Sequence, residues 1–268
     1  MRIDLAVVLS LAVSLPAAAQ QACVAEALPT PLLGAPLVVL GEVHGTEEVP
    51  VFLARYLCAV AAGGKPVKLA LEMPADEQAR LDAYIGSAGS PEQTAALLAG
   101  PFWRRAFQDG RSSAAMLRLL QSVRAMRAAG MDMEVVAYDS GSGGAAREAV
   151  MAQQLRAAVA RHSGSAFVVL TGGLHATRTR GNRFNPEFES MTYRLADLKP
   201  LSLTVVTDGG SAWVCTGPSA AACGARNWTI NQGPLLPAGS VVLDASTPQF
   251  DGSFHVGKTT ASPPAVAP

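Results

Sequence analysis

The chain has 268 residues, 49% of them hydrophobic, enough for one large core or two small ones. Lys plus Arg and Asp plus Glu each number 21, so the formal charge is zero, and no basic run breaks that balance. The footprint of a nucleic-acid partner is therefore missing, and the apolar content excludes disorder away from the ends.

The first feature along the chain is an export signal. Arg2 precedes an apolar stretch, Leu5 to Leu15, that is too short to span a bilayer, and Ala17-Ala18-Ala19 offers small residues for cleavage before Gln20. Residues 1–19 read as a signal peptide, which places the mature chain in the periplasm or outside the cell with no transmembrane segment after cleavage. Gln20-Gln21-Ala22 is a poor lipoprotein context for Cys23, so no acyl anchor is expected. Four cysteines in an oxidising compartment allow three pairings. Cys215 and Cys223 bracket the turn-like Thr216-Gly217-Pro218-Ser219, which makes a local bridge the simplest choice and leaves Cys23 to join Cys58.

Strand and helix signals then alternate. Leu37–Leu40 is a short apolar run suited to a strand buried on both faces, and Thr46 to about Ala62 reads as a helix capped by Thr46 and closed by Gly63-Gly64. Val67–Leu71 is the second strand, followed by a short helix from Asp76 and helical signal from Pro91 to Phe107, broken at Gly100-Pro101. Ser112 or Ser113 caps a longer helix whose Met116, Leu119, Leu120, Val123 and Met126 recur at helical spacing. Glu134–Tyr138 is the third strand, Ala145–His162 a helix, Ala166–Leu170 the fourth strand and Leu201–Val206 the fifth. Weaker strands follow at Ala212–Cys215 and Ser240–Leu243. This order predicts an α/β fold, a mainly parallel sheet with helices on both faces and an antiparallel C-terminal edge. It forms a single domain over residues 20–258, with a Pro/Ala-rich tail at 259–268.

The polar residues stand where parallel strands end. Glu42 and His44 follow the first strand, Glu72 the second, Asp139 the third and His175 the fourth, so all converge on the carboxyl edge, where ligands of open α/β sheets bind. Glu42 and His44, two apart, share one face of extended backbone, and a carboxylate beside an imidazole fixes its tautomer and raises its basicity. Acids and imidazoles so placed suit general acid–base catalysis, with Glu42, His44, Glu72 and His175 as the catalytic candidates, or metal ligation by His44, Glu72 and His175. Arg111, at a turn, and Arg147, just beyond Asp139, join Asp139 as substrate-binding candidates. Ser142 lacks the Gly-x-Ser-x-Gly context of a nucleophile elbow, no His-Glu-x-x-His motif occurs, and the cysteines look structural. His162 ends a helix and His255 stands alone in a strand-like stretch; neither receives a role.

Gly41-Glu42-Val43-His44-Gly45-Thr46 resembles a signature of the superfamily of erythromycin esterases, Tiki proteases and ChaN-like haem-binding proteins. Leu71-Glu72-Met73-Pro74, Arg147-Glu148 with Met151-Ala152, Gly172-Gly173-Leu174-His175-Ala176 and Phe250-Asp251-Gly252 resemble its later motifs, so the likeness runs from about residue 37 to 257. Only Val43 separates Glu42 from His44, closer to the ChaN and Tiki forms than to the esterases, and Gly173 stands where the family has Asn. The resemblance implies an exported hydrolase acting on an ester or amide of a small-molecule or peptide substrate, with or without a divalent metal ion. Its other implication is a protein that binds haem or another iron compound.

Overall fold

A computed structural model describes residues 28–141, 143–217, 219–227, 236–244 and 247–267. The expected signal peptide, Cys23 and Ser142 lie outside these residues.

Seven strands form one sheet in the order β3-β2-β4-β1-β5-β9-β8. They are β1 (Leu37–Glu42), β2 (Val67–Pro74), β3 (Met133–Asp139), β4 (Ala166–Gly172), β5 (Leu201–Val206), β8 (Val241–Leu243) and β9 (Gly252–His255). All neighbours are parallel except β8 and β9, the antiparallel edge. Successive residues of β1 enter opposite cores, as a strand covered on both faces requires. Val38 and Leu40 pack with α2 (Glu48–Ala62), α3 (Gln78–Ile85) and α6 (Ala114–Ala128), whereas Leu37 and Val39 pack with α7 (Gly144–Arg161) and α8 (Met191–Arg194). Three short helices complete the set: α1 (Thr30–Gly34), α4 (Pro91–Leu98) and α5 (Pro101–Arg104). Among the described residues no helix is long and apolar enough to cross a membrane.

Two local expectations change. Thr46 does not cap α2: Glu47 holds the N-cap position without a side-chain bond, and Thr46 Oγ1 is buried without a partner. The strand at Ser211–Cys215 (β6) does not join the main edge but pairs antiparallel with β7 (Cys223–Asn227) in a separate hairpin, with Cys215 directly opposite Cys223. Those two cysteines are bonded, and Cys58, buried in α2, is also a disulfide cysteine.

The largest correction concerns the C-terminus. Residues 259–267 are no free tail but a strap laid over the loops that follow β1 and precede α6. Glu47 N donates to Thr260 O (2.9 Å), Ser262 N to Gly45 O (2.8 Å), Ala114 N to Pro263 O (2.8 Å) and Ala265 N to Ser112 O (2.9 Å). Pro/Ala/Thr composition suits this role, because extended backbone with few N–H groups of its own can satisfy its neighbours' donors and acceptors. The crowding selects glycine at two positions. Gly45 has φ +78° and a Cβ there would stand 2.2 Å from Trp213 O; Gly110 has φ +92° and a Cβ there would stand 2.5 Å from Gly45 N.

Candidate active site

Glu72 is the centre of the polar cluster. It leaves β2 between β3 and β4, buried at 6% exposure, and each of its oxygens has a separate set of partners. Oε2 accepts from Thr171 Oγ1 and from Gly172 N, both at 2.9 Å, and lies 3.5 Å from His44 Nε2. Oε1 accepts from Arg147 Nη2 (2.5 Å) and Arg111 Nη1 (3.2 Å), and lies 3.8 Å from His175 Nε2. Burial alone pushes this carboxyl up, but the His44 imidazole, then His175 and Arg111, outweigh it and hold it well below the usual carboxylate range.

Each histidine is backed by a second glutamate. His44 Nδ1 is 2.9 Å from Glu42 Oε1, the arrangement expected from residues two apart on a strand end. Burial lowers the His44 pKa, yet Glu72 and the hydrogen bonds to Glu42 and Glu72 overcome it and raise the imidazole from 6.5 to about 10. Glu42 itself is raised, burial prevailing over its bond to His44. On the other side, His175 Nδ1 lies 2.7 Å from Glu148 Oε1, a close approach without full hydrogen-bond alignment. Glu148 Oε2 accepts from Met191 N at 2.8 Å, which fixes the carboxylate between α7 and α8.

The two arginines do not project freely. Arg147 grips Asp139 through Nε and Nη2, both 2.8 Å, and Arg111 reaches Asp139 Oδ2 at 2.7 Å. Asp109 holds the other end of Arg111 through Nη2 (2.8 Å) and Nε. Asp139 and Asp109 are pushed up by burial but pulled down overall by these guanidiniums, Asp109 to about 2. Thus all seven sequence-derived candidates, Glu42, His44, Glu72, Arg111, Asp139, Arg147 and His175, meet in one connected cluster, against a small cavity of about 10 Å³ beside Glu42, His44, Glu72 and Arg111.

Sequence reasoning assigned no role to Glu148, Asp109 or Thr171. Glu148 was visible as the acid next to Arg147, one turn into a helix that starts after an acidic strand end; Asp109 and Thr171 carried no signal beyond their neighbours. His162 and His255 stay outside. His162 lies 3.9 Å from Glu134, at the opposite end of β3, and burial lowers the pKa of His255, whose ring meets Ser253 in β9.

A Cβ on Gly172 would meet His44 Nε2 at 3.2 Å, His175 Cδ2 at 3.4 Å and Glu72 Oε2 at 3.7 Å, so the glycine lets both imidazoles and the central carboxylate approach the backbone closely. A metal ion does not suit this donor set. Glu72 Oε1 is already shared by two guanidiniums, whose charge opposes a cation, and His175 Nε2 receives Arg147 Nη1 at 3.3 Å. Among the described residues no three His, Cys, Asp or Glu side chains are grouped to hold one. The Nε2 atoms needed to ligate haem iron are turned to the same partners.

Compared by sequence, the chain matches no protein-family profile and no curated protein. Compared by structure, it superposes on a histidine variant of the erythromycin esterase EreC in its open conformation, with TM-score 0.59 and 11% identity over 74% of this chain and 77% of that one. A protein from Bacillus cereus gives TM-score 0.59 at 12% identity over 88% and 92% of the two chains, and a protein described as a succinoglycan biosynthesis protein gives 0.63 at 11% over 87% and 90%. Such identities speak to the fold alone. The chain shares the fold of the erythromycin esterase EreC.

Proposed function

We propose that the protein is an exported hydrolase that splits an ester or amide bond by imidazole- and glutamate-assisted attack of water, without a metal ion. The observation that carries this reading is the continuous array Glu42–His44–Glu72–His175–Glu148, gathered around Gly172 at the carboxyl edge of the sheet. A nucleophilic side chain is not required: an imidazole takes a proton from water, the hydroxide oxygen bonds to the carbonyl carbon, and the same proton leaves with the alcohol or amine. Arg111 and Arg147, bound to Asp139, act as a rigid frame for Glu72 and present their remaining edges to substrate. The EreC likeness in fold favours ester cleavage as the first chemistry to try. Export fits the Cys215–Cys223 bridge, since such bonds persist in oxidising compartments.

The test is a screen of purified protein against nitrophenyl esters, lactones and chromogenic peptide amides, before and after chelation. His44→Ala and His175→Ala should each lower turnover by roughly 100- to 10,000-fold, the usual share of general acid–base catalysis. Turnover unchanged in both variants, or abolished by chelation and restored by a divalent cation, overturns the reading.

A further inference from the structure

The two histidines differ in which of their nitrogens face acceptors, and that difference divides the labour between them. His44 Nδ1 looks at Glu42 Oε1 (2.9 Å) and its Nε2 at Glu72 Oε2 (3.5 Å), so carboxylate oxygens attract protons to both nitrogens. His175 also has a carboxylate near each nitrogen, Glu72 Oε1 lying 3.8 Å from Nε2, but at Nε2 a guanidinium stands closer. Glu148 Oε1 stands 2.7 Å from Nδ1, while Nε2 faces Arg147 Nη1 at 3.3 Å. A guanidinium only donates, so Nε2 must present its lone pair and the proton must sit on Nδ1 toward Glu148. Arg147 spends its shorter bonds on Asp139 and Glu72 (2.8, 2.8 and 2.5 Å), which leaves the 3.3 Å contact weak enough for a water to displace.

Resting on the hydrolase reading, we propose that His175 is the base that deprotonates water, that Glu148 is the positioning residue that keeps its lone pair on Nε2, and that His44, with a carboxylate at each nitrogen, keeps its protons and is not the base. The groups facing His175 are Glu148 and Arg147 from α7 and Glu72 from β2. Nε2 takes the water proton as the hydroxide oxygen bonds to the carbonyl carbon and the π pair moves to oxygen. When the intermediate collapses, the C–O or C–N bond breaks and Nε2–H passes its proton to the leaving alcohol or amine, restoring the lone pair. The elevated His44 pKa of about 10 agrees with this assignment. Glu148→Gln is the discriminating change. Its amide oxygen can still accept from Met191 N, but its NH2 would then face Nδ1 as a donor and force the ring proton to Nε2.

Two readouts test it. The first needs no substrate: diethyl pyrocarbonate acylates an imidazole nitrogen that has a free lone pair, and peptide mapping by mass spectrometry reports each histidine at pH 7. The His44 ring is slightly more exposed than that of His175 (20% against 15%), so access alone predicts that His44 reacts first. The proposal predicts the reverse, His175 faster by about tenfold or more, and slowed to a similar degree in Glu148→Gln, with exposed His162 unchanged as the reference for intact folding. His44 reacting first, or an unchanged His175 rate in the variant, overturns it. The second readout is kinetic: Glu148→Gln should lower kcat by about 10- to 100-fold with KM nearly unchanged, and Glu148→Asp should restore part of the loss. A drop in melting temperature with kcat intact would make Glu148 structural and overturn the assignment. If no ester or amide is cleaved by the unmodified protein, the hydrolase reading fails, while the labelling order still decides where the lone pair lies.

Discussion

His175 leaves the sheet into regular structure, whereas His44 leaves it into a loop held by distant parts of the chain. After β4 the turn closes at once, His175 N donating to Gly172 O (2.9 Å), and Glu148 arrives on the second turn of α7. That imidazole is fixed by the turn, by Glu148 of α7 and by α8, whose Thr192 N and Oγ1 donate to His175 O (3.1 and 2.8 Å). After β1 no helix begins until Glu48, and the intervening Gly45 depends on other segments: its carbonyl accepts from Trp213 N and from Ser262 N, both at 2.8 Å, and Gly110 packs onto its backbone. A catalytic side chain beyond a strand needs its exit path fixed, and the two halves of the site show a local and a non-local solution. Glu72, bonded on one oxygen toward His44 and on the other toward His175 and the arginines, joins them.

Glu72→Gln is therefore the strongest test of a site built in two halves around one group. The substituted amide keeps the shape but turns an NH2 toward donors on one side or the other, leaving two guanidiniums and His44 with one carboxylate fewer. Breaking a buried charged network in this way costs about 3–5 kcal/mol, and urea denaturation should show a loss of that order with turnover reduced by at least about 100-fold. A variant within 1 kcal/mol of the parent by the same measure would mean the halves stand independently.

The next contrast is in pH dependence, because His44 Nδ1 and Nε2 face Glu42 and Glu72, whereas His175 Nε2 also meets the Arg147 guanidinium. Its folded pKa, about 10, lies above the ordinary 6.5. The stability it contributes is thus fully present below pH 6.5, declines as pH rises through that window, and is gone above about 10. The same ion pair seen from Glu72 is lost in acid, since that carboxyl is depressed: its contribution is present above about pH 4.5 and falls away below. Denaturation midpoints at pH 6, 8 and 10 should fall steadily, and His44→Gln should flatten the series. Equal slopes in both proteins would detach the alkaline loss from His44.

The same division marks what was legible in the sequence. β1 to β5 were readable because strands covered on both faces appear as apolar runs, and Glu42, Glu72, Asp139 and His175 stood out as the polar residues that end them. The His175 half was legible for this reason; even Glu148 sat beside a residue already singled out. The supports of His44 were not. The strap from Thr259 has no hydrophobic period, its role resting on backbone bonds between residues far apart in the chain, such as Glu47 N to Thr260 O and Ala114 N to Pro263 O. β7, Cys223-Gly-Ala-Arg-Asn227, contains no β-branched or aromatic residue and is a strand only because β6 and the bridge hold it. Asp109 is one acid among many until the fold brings Arg111 against it.

The smallest expected effect belongs to that hairpin, and it measures how rigid the non-local half must be. Removing the Cys215–Cys223 bridge with paired serines frees a short loop, a stability loss of about 2–3 kcal/mol by loop-closure entropy. The loss should not stay in the hairpin. Trp213 Nε1 donates to Gln108 O (3.0 Å), Cys215 Sγ lies 3.5 Å from the same oxygen, and Asp109, next in the chain, anchors Arg111. Loosening β6 therefore loosens both the Gly45 carbonyl and the Arg111 loop, but it leaves Glu148, α7 and the turn after β4 untouched. Amide hydrogen exchange in the doubly substituted protein should quicken at residues 44–47 and 108–113 while residues 148–158 and 172–175 keep the parent rates. Uniform acceleration over both sets would show that the two halves of the site are one cooperative unit, and that the hairpin braces the whole sheet edge rather than the His44 side alone.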